Sequence, residues 1–141
     1  MNSRFTTIAT LLCGSCLLAA QSAPQIKKTT VSPTSPASGK EMYVQYCATC
    51  HGKEGKGDGP AAQALKAQPA NLTTLTVNNH GTFPDFRIAR AIEGTDKVAA
   101  HGSRDMPIWG EVFNRMDAGG AATTKLRVEN LAEYIKSLQA K

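Results

Sequence analysis

Apolar positions along this chain recur at helical steps of three and four, and no stretch alternates with the two-residue period of a half-buried strand. Ser38 followed by Glu41 forms a capping box. Met42, Tyr43 and Tyr46 then give one apolar face up to Cys47. Pro60 suits the first turn of a helix running to about Lys66, and Pro69 ends that stretch. Asp85 is placed to cap FRIARAIE, with Gly94 as its C-terminal stop. A short helix is expected after Trp109, ending before Gly119 and Gly120. Thr124 can cap a last helix to about Gln139, in which Val128, Leu131, Ile135 and Leu138 share a face. The expected fold is all-α, about five short helices joined by long irregular connections. Loops of that length in so small a domain need something inside to pack against.

The N-terminus reads differently. Met1 to Arg4 carries one positive charge, and Phe5 to Ala20 is apolar but too short to span a bilayer, for which about 20 residues are needed. Small residues follow, so residues 1–22 are read as a signal peptide for export, with cleavage after Ser22 or after Ala20. An uncleaved anchor helix and lipid attachment at Cys16 are the alternatives, although Cys13 stands where a lipobox has an aliphatic or small residue. Residues 23–38, APQIKKTTVSPTSPAS, are a Pro/Ser/Thr-rich tether. Residues 39–141 are then the folded domain, in a chain expected to be periplasmic, monomeric and without a membrane span once the signal is removed.

Composition narrows the chemistry. The 141 residues suffice for one domain. The net charge of +5 is mild, and without a Lys/Arg run it does not mark a nucleic-acid binder. Aromatics make up only 6%, thin for a core of this length, and a large non-protein group would fill the deficit. Signal cleavage leaves two cysteines, Cys47 and Cys50, within Cys47-Ala48-Thr49-Cys50-His51. A C-x-x-C-H run reads as c-type haem attachment. On a helical turn, positions i, i+3 and i+4 share a face. Two thiols there can each take one vinyl group of one haem, and the imidazole then falls to the iron. A thioredoxin-like dithiol, a structural disulfide, and a zinc site of Cys47, Cys50, His80 and His101 compete less well. The motif does not follow a strand, two intervening residues staple little, and no second metal-binding pair is present.

Iron has a second axial position, for which His80, His101, Met42, Met106 and Met116 are available. Met106 stands before Pro107 in a segment the proline keeps out of helix, and is the preferred ligand. Met42 and Met116 lie on expected helices and read as core, while His101 reads as a neighbour of the site.

These features together resemble a class I c-type cytochrome of the bacterial monohaem group over about residues 39–139. Gly39 and Tyr43 match the glycine and aromatic that precede the first haem cysteine in that family, and Leu131 and Tyr134 match its C-terminal helix. Met106-Pro107-Ile108-Trp109-Gly110 resembles the loop carrying the distal ligand. Gly59-Pro60 resembles the element whose proline carbonyl accepts the imidazole Nδ1 proton, a role the resemblance gives to Pro60. Pro69-Ala70-Asn71-Leu72-Thr73 resembles another family segment, in which Asn71 would cap a turn or meet a haem propionate. The resemblance implies one covalent haem c on Cys47 and Cys50, His51/Met106 ligation, and no catalytic residue. Its implied function is single-electron transfer between periplasmic or membrane redox proteins. Met42, Leu65, Leu72, Ile88, Ile92, Leu131 and Ile135 would cover the haem, and Lys53 and Lys56 would steer an acidic partner. A cytochrome subunit of a periplasmic dehydrogenase, and a ligand-binding or peroxidatic haem protein, remain open at this point.

Overall fold

A computed structural model describes residues 33–95, 106–116 and 119–140, which belong to one packed unit, Ser32–Lys141. The expected signal peptide, Cys16, residues 23–32 of the tether and His101 lie outside the described residues. The protein is all-α, with no strand among the described residues. A helical run opens with α1 (Gly39–Met42), passes through a π-helical turn (Tyr43–Cys47) and ends in α2 (Ala48–His51). After three 3₁₀ turns come α3 (Asp85–Glu93), α4 (Trp109–Met116) and α5 (Gly120–Ser137).

The first helix starts where its cap places it. The Ser38 hydroxyl accepts the Glu41 N–H at 3.2 Å, satisfying one donor that the first turn leaves over. Gly39 explains why this helix meets α5: any side chain there would run into the Asn130 carbonyl and the Tyr134 Cβ. The backbones can cross closely only because no Cβ intervenes. Next to the crossing, Tyr43 and Tyr134 pack with centroids 5.2 Å apart.

α5 forms the spine of the domain, packing against α1, α3 and α4. Its apolar stripe of Val128, Leu131, Ala132 and Ile135 is buried among Met42, Tyr43, Leu72, Ile88, Ile92 and Phe113. Tyr46, Trp109 and Phe113 stack beside it, with centroids 5.3 to 5.8 Å apart. Among them lies Arg127, the largest fully buried side chain among the described residues. Its guanidinium donates to the Thr34 carbonyl (2.8 Å), the Thr34 hydroxyl (3.0 Å) and the Met42 sulfur (3.4 Å). It also lies 5.7 Å from the centre of the Phe113 ring.

Four expectations change. Thr34 is buried and hydrogen-bonded to Tyr46 and Arg127, and Asn130 donates to the Pro36 carbonyl, so the packed unit takes in residues 34–36 of the expected tether. α5 begins at Gly120, and Thr124 sits inside it with its hydroxyl on the Gly120 carbonyl. Pro60 opens no α-helix; only the 3₁₀ turn Ala62–Ala64 forms before Pro69. Asp85 lies in the first turn of α3 rather than capping it, and its carboxylate takes the Lys136 ammonium at 2.8 Å. Gly94, in the left-handed conformation, ends α3 where its missing Cβ allows.

Candidate functional site

The Cys47–His51 segment occupies the end of the first helical run. The π turn stretches one backbone bond over five residues, from the Ala48 N–H to the Tyr43 carbonyl. One extra residue in a turn rotates everything after it by roughly 100° relative to a regular α-helix. The turn therefore lets Met42 of α1 and Tyr43 at its own start face α5 while α2 presents its own face elsewhere. Gly52 stops α2 with a positive φ, its N–H on the Ala48 carbonyl at 2.9 Å. The buried Tyr43 hydroxyl donates to the Gly52 carbonyl at 2.7 Å and fixes the exit. Burial raises the Tyr43 pKa above the ordinary tyrosine value, with the neighbouring Cys47 adding to it.

A backbone-rich loop wraps this turn. The Gly57 N–H reaches the His51 carbonyl (2.8 Å), Gly59 the Cys50 carbonyl (3.1 Å) and Ala61 the Thr49 carbonyl (2.9 Å). A side chain at Gly59 would strike the Thr49 carbonyl and the Cys50 carbonyl carbon. The glycines of GKEGKGDGP thus let one backbone lie against another.

Cys47 and Cys50 are both half-buried and carry free thiols. Desolvation pushes the Cys47 thiol up to about 12, and Cys50 adds to the rise. A dithiol oxidoreductase needs a lowered thiol pKa, so this environment is the wrong one for that chemistry. Among the described residues, no three His, Cys, Asp or Glu side chains converge as a metal cage. His80 stands exposed in a left-handed turn.

His51 is held by a carbonyl that the sequence did not single out. Its Nδ1 lies 3.0 Å from the Ala70 oxygen. A ring that donates from Nδ1 keeps its lone pair on Nε2, the form in which histidine binds a metal. Pro60, to which the resemblance gave this role, is exposed. Ala70 sits in the segment flanked by Pro69 and Asn71, where Asn71 caps a turn by accepting the Thr73 N–H (2.9 Å) and hydroxyl (2.7 Å). The cap expected of Asn71 is present. The missed signal was that segment's own resemblance, read for its side chain and not for its carbonyls.

Met106 is half-buried and packs against the core just before α4. Met42 is fully buried under Arg127, and Met116 packs against the core, as expected of both. Of the apolar residues expected to cover the cofactor, all are buried except Leu65, which is half-buried. Lys56 is paired with Glu54 at 2.6 Å, and Asp58 lies in the same loop as Lys53, so the local charge is balanced and not basic.

The donor set fits a c-type haem: two free thiols and a metal-ready imidazole at i, i+3 and i+4 of one turn, under a glycine loop. A family model described as cytochrome C oxidase, cbb3-type, subunit III, matches residues 34–135. No curated protein and no solved structure matches the chain.

Proposed function

Because the chain belongs to the cbb3-type cytochrome c oxidase subunit III family, whose domain is a class I c-type cytochrome, we propose that it is a single-electron carrier using one covalent haem c. The observation that carries this reading is the joint presence of the Cys47/Cys50 thiol pair and a His51 ring polarised through Nδ1 on one turn. Cys47 and Cys50 would hold the group by thioether bonds, and His51 and Met106 would be its axial ligands. The bound haem supplies a reversible one-electron couple, which a soft thioether ligand biases toward Fe(II).

The chain's own residues account for the rest. The Ala70 carbonyl fixes the imidazole tautomer and strengthens Nε2 as a donor. Leu72, Ile88, Ile92, Leu131 and Ile135 exclude water from the interior and limit solvent reorganisation when the charge changes. Export by the N-terminal signal would place this carrier in the periplasm, where thiol attachment of haem and exchange with other redox proteins occur together. Pairing of Lys56 with Glu54 argues that docking relies on shape and contact more than on a basic patch. The family description names a subunit of an oxidase, which favours service to a membrane redox complex over a self-contained enzyme.

Visible spectroscopy tests the ligation. The oxidised protein is expected to show the weak far-red band of sulfur ligation. Met106→Ala should abolish that band and let the reduced protein bind carbon monoxide quickly. Met116→Leu should leave both unchanged. A wild-type protein that binds carbon monoxide as fast as Met106→Ala would contradict His51/Met106 ligation.

A further inference from the structure

We propose that Gln139 is a positioning residue for His51, latching from the end of the C-terminal helix the turn that carries the Ala70 carbonyl. This rests on the haem reading above and goes beyond it, because it assigns the tuning of the site to the far end of α5.

The contact itself is direct: His51 Nδ1 to the Ala70 oxygen, 3.0 Å. Its strength depends on how firmly the 69–73 turn is held, and that turn is tied from three sides. From within, the Asn71 carboxamide oxygen accepts both the Thr73 N–H and the Thr73 hydroxyl. From the glycine loop, the Gly55 carbonyl accepts the Leu72 N–H at 2.6 Å, and the Gln68 carboxamide donates to the Gly57 carbonyl at 2.5 Å. A side chain at Gly57 would strike the Pro69 carbonyl, so the two segments lie backbone against backbone.

The third tie comes from the C-terminus. The Gln139 carboxamide nitrogen donates to the Leu72 carbonyl (2.7 Å) and to the Ile135 carbonyl in the last turn of α5 (2.9 Å). Its oxygen accepts the Thr76 N–H at 2.9 Å. The Ala140 N–H adds a bond to the Thr73 carbonyl at 2.9 Å. One side chain thus joins the end of the longest helix to the segment that holds the imidazole. Pro60 has no such arrangement: it is exposed, and its loop spends its N–H groups on the Thr49 and Cys50 carbonyls.

The consequence is electronic. An Nδ1–H that donates to a carbonyl makes Nε2 a stronger donor, and a stronger donor favours Fe(III). Loosening the turn weakens the bond and raises the reduction potential.

The test uses the full haem-loaded chain with nitrogen-labelled histidine. It reads exchange of the His51 Nδ1 proton by NMR and the midpoint potential by redox titration. Asn71→Ala is expected to hasten Nδ1–H exchange about tenfold, the low end of what loss of such an outer partner costs. It should raise the potential; a tenfold change in the Fe(III)/Fe(II) preference is about 59 mV for one electron. Gln139→Ala should move both readouts in the same direction by less. Asn71→Asp, which keeps the accepting oxygen, should restore both. Gln139→Ala moving neither readout would overturn the proposal, and so would variants that lose thermal stability with no change in exchange or potential. A wild-type chain that takes up no haem is a different failure: it overturns the haem reading itself.

Discussion

The helix crossing and the site loop are built on opposite principles. At the crossing, Gly39 is pressed against Asn130, with Tyr43, Tyr134, Met42 and Arg127 filling the space around it. Side chains do the holding there, and apolar burial at roughly 25 cal/mol per Å² drives it. In the loop from Gly52 to Thr76, two short 3₁₀ turns and four left-handed residues or glycine approaches replace helices. Backbone hydrogen bonds do the holding, and their carbonyls and N–H groups converge on His51 and the cysteine turn. The crossing sets whether the domain folds; the loop sets what His51 experiences. Substitutions in the two regions should therefore separate stability from site properties.

The largest effect is expected at the crossing. Gly39→Ala forces a methyl into the Asn130 carbonyl and should cost about 3 kcal/mol, the upper range for overpacking, in chemical denaturation. Arg127→Ala should follow at about 2 kcal/mol, because it strips the partner from the buried Thr34 hydroxyl and carbonyl. Arg127→Lys should recover little, since an ammonium cannot serve the Thr34 oxygens and the Met42 sulfur from one planar fork.

Alkaline pH sharpens the same comparison from inside the core. Cys47 titrates near 9.0 when exposed and at about 12 when buried, so the folded chain holds its proton longer. Stability is then complete below about pH 9 and falls as pH rises toward 12, with a slope approaching about 1.4 kcal/mol per pH unit. Tyr43, also raised by burial, adds a fall that begins near its ordinary value of 10.0. With Cys47 bonded to haem its thiol is gone, so the loaded protein should begin to lose stability about one pH unit later than the haem-free chain. Denaturation midpoints measured from about one pH unit below the ordinary thiol value to about one above the ordinary phenol value check this.

In the loop, Gly59→Ala should push the backbone off Thr49 and Cys50. It is expected to cut the yield of haem-attached protein several-fold while far-ultraviolet circular dichroism shows native helix content. The smallest effect is expected at the surface. Lys136→Met breaks the exposed pair with Asp85, and thermal melting should not shift measurably.

The two regions were also unequally legible in the sequence. Helix positions at the crossing followed from the three-and-four spacing of Val128, Leu131 and Ile135, from the Ser38 cap, and from Gly39 and Tyr134. The attachment turn was legible because five consecutive residues carry it. The buried Arg127 was not, since a charged residue type gives no sign that Thr34 and Met42 will enclose it. Nor was the π turn, which arises from one backbone bond and leaves no composition signal. The Ala70 carbonyl was missed for the same reason: every residue has one, and only the folded path of the 69–73 turn aims it at His51. Backbone chemistry is invisible to residue type, and the loop is made of backbone.

The most direct measurement is the intact mass of the mature chain, made in a host able to attach haem, compared with Cys47→Ala, Cys50→Ala and the double variant. The account predicts a wild-type mass increased by one haem that survives acid extraction, and a double variant whose mass is that of the polypeptide alone. A wild-type mass equal to the bare polypeptide, with both thiols open to alkylation, would contradict it.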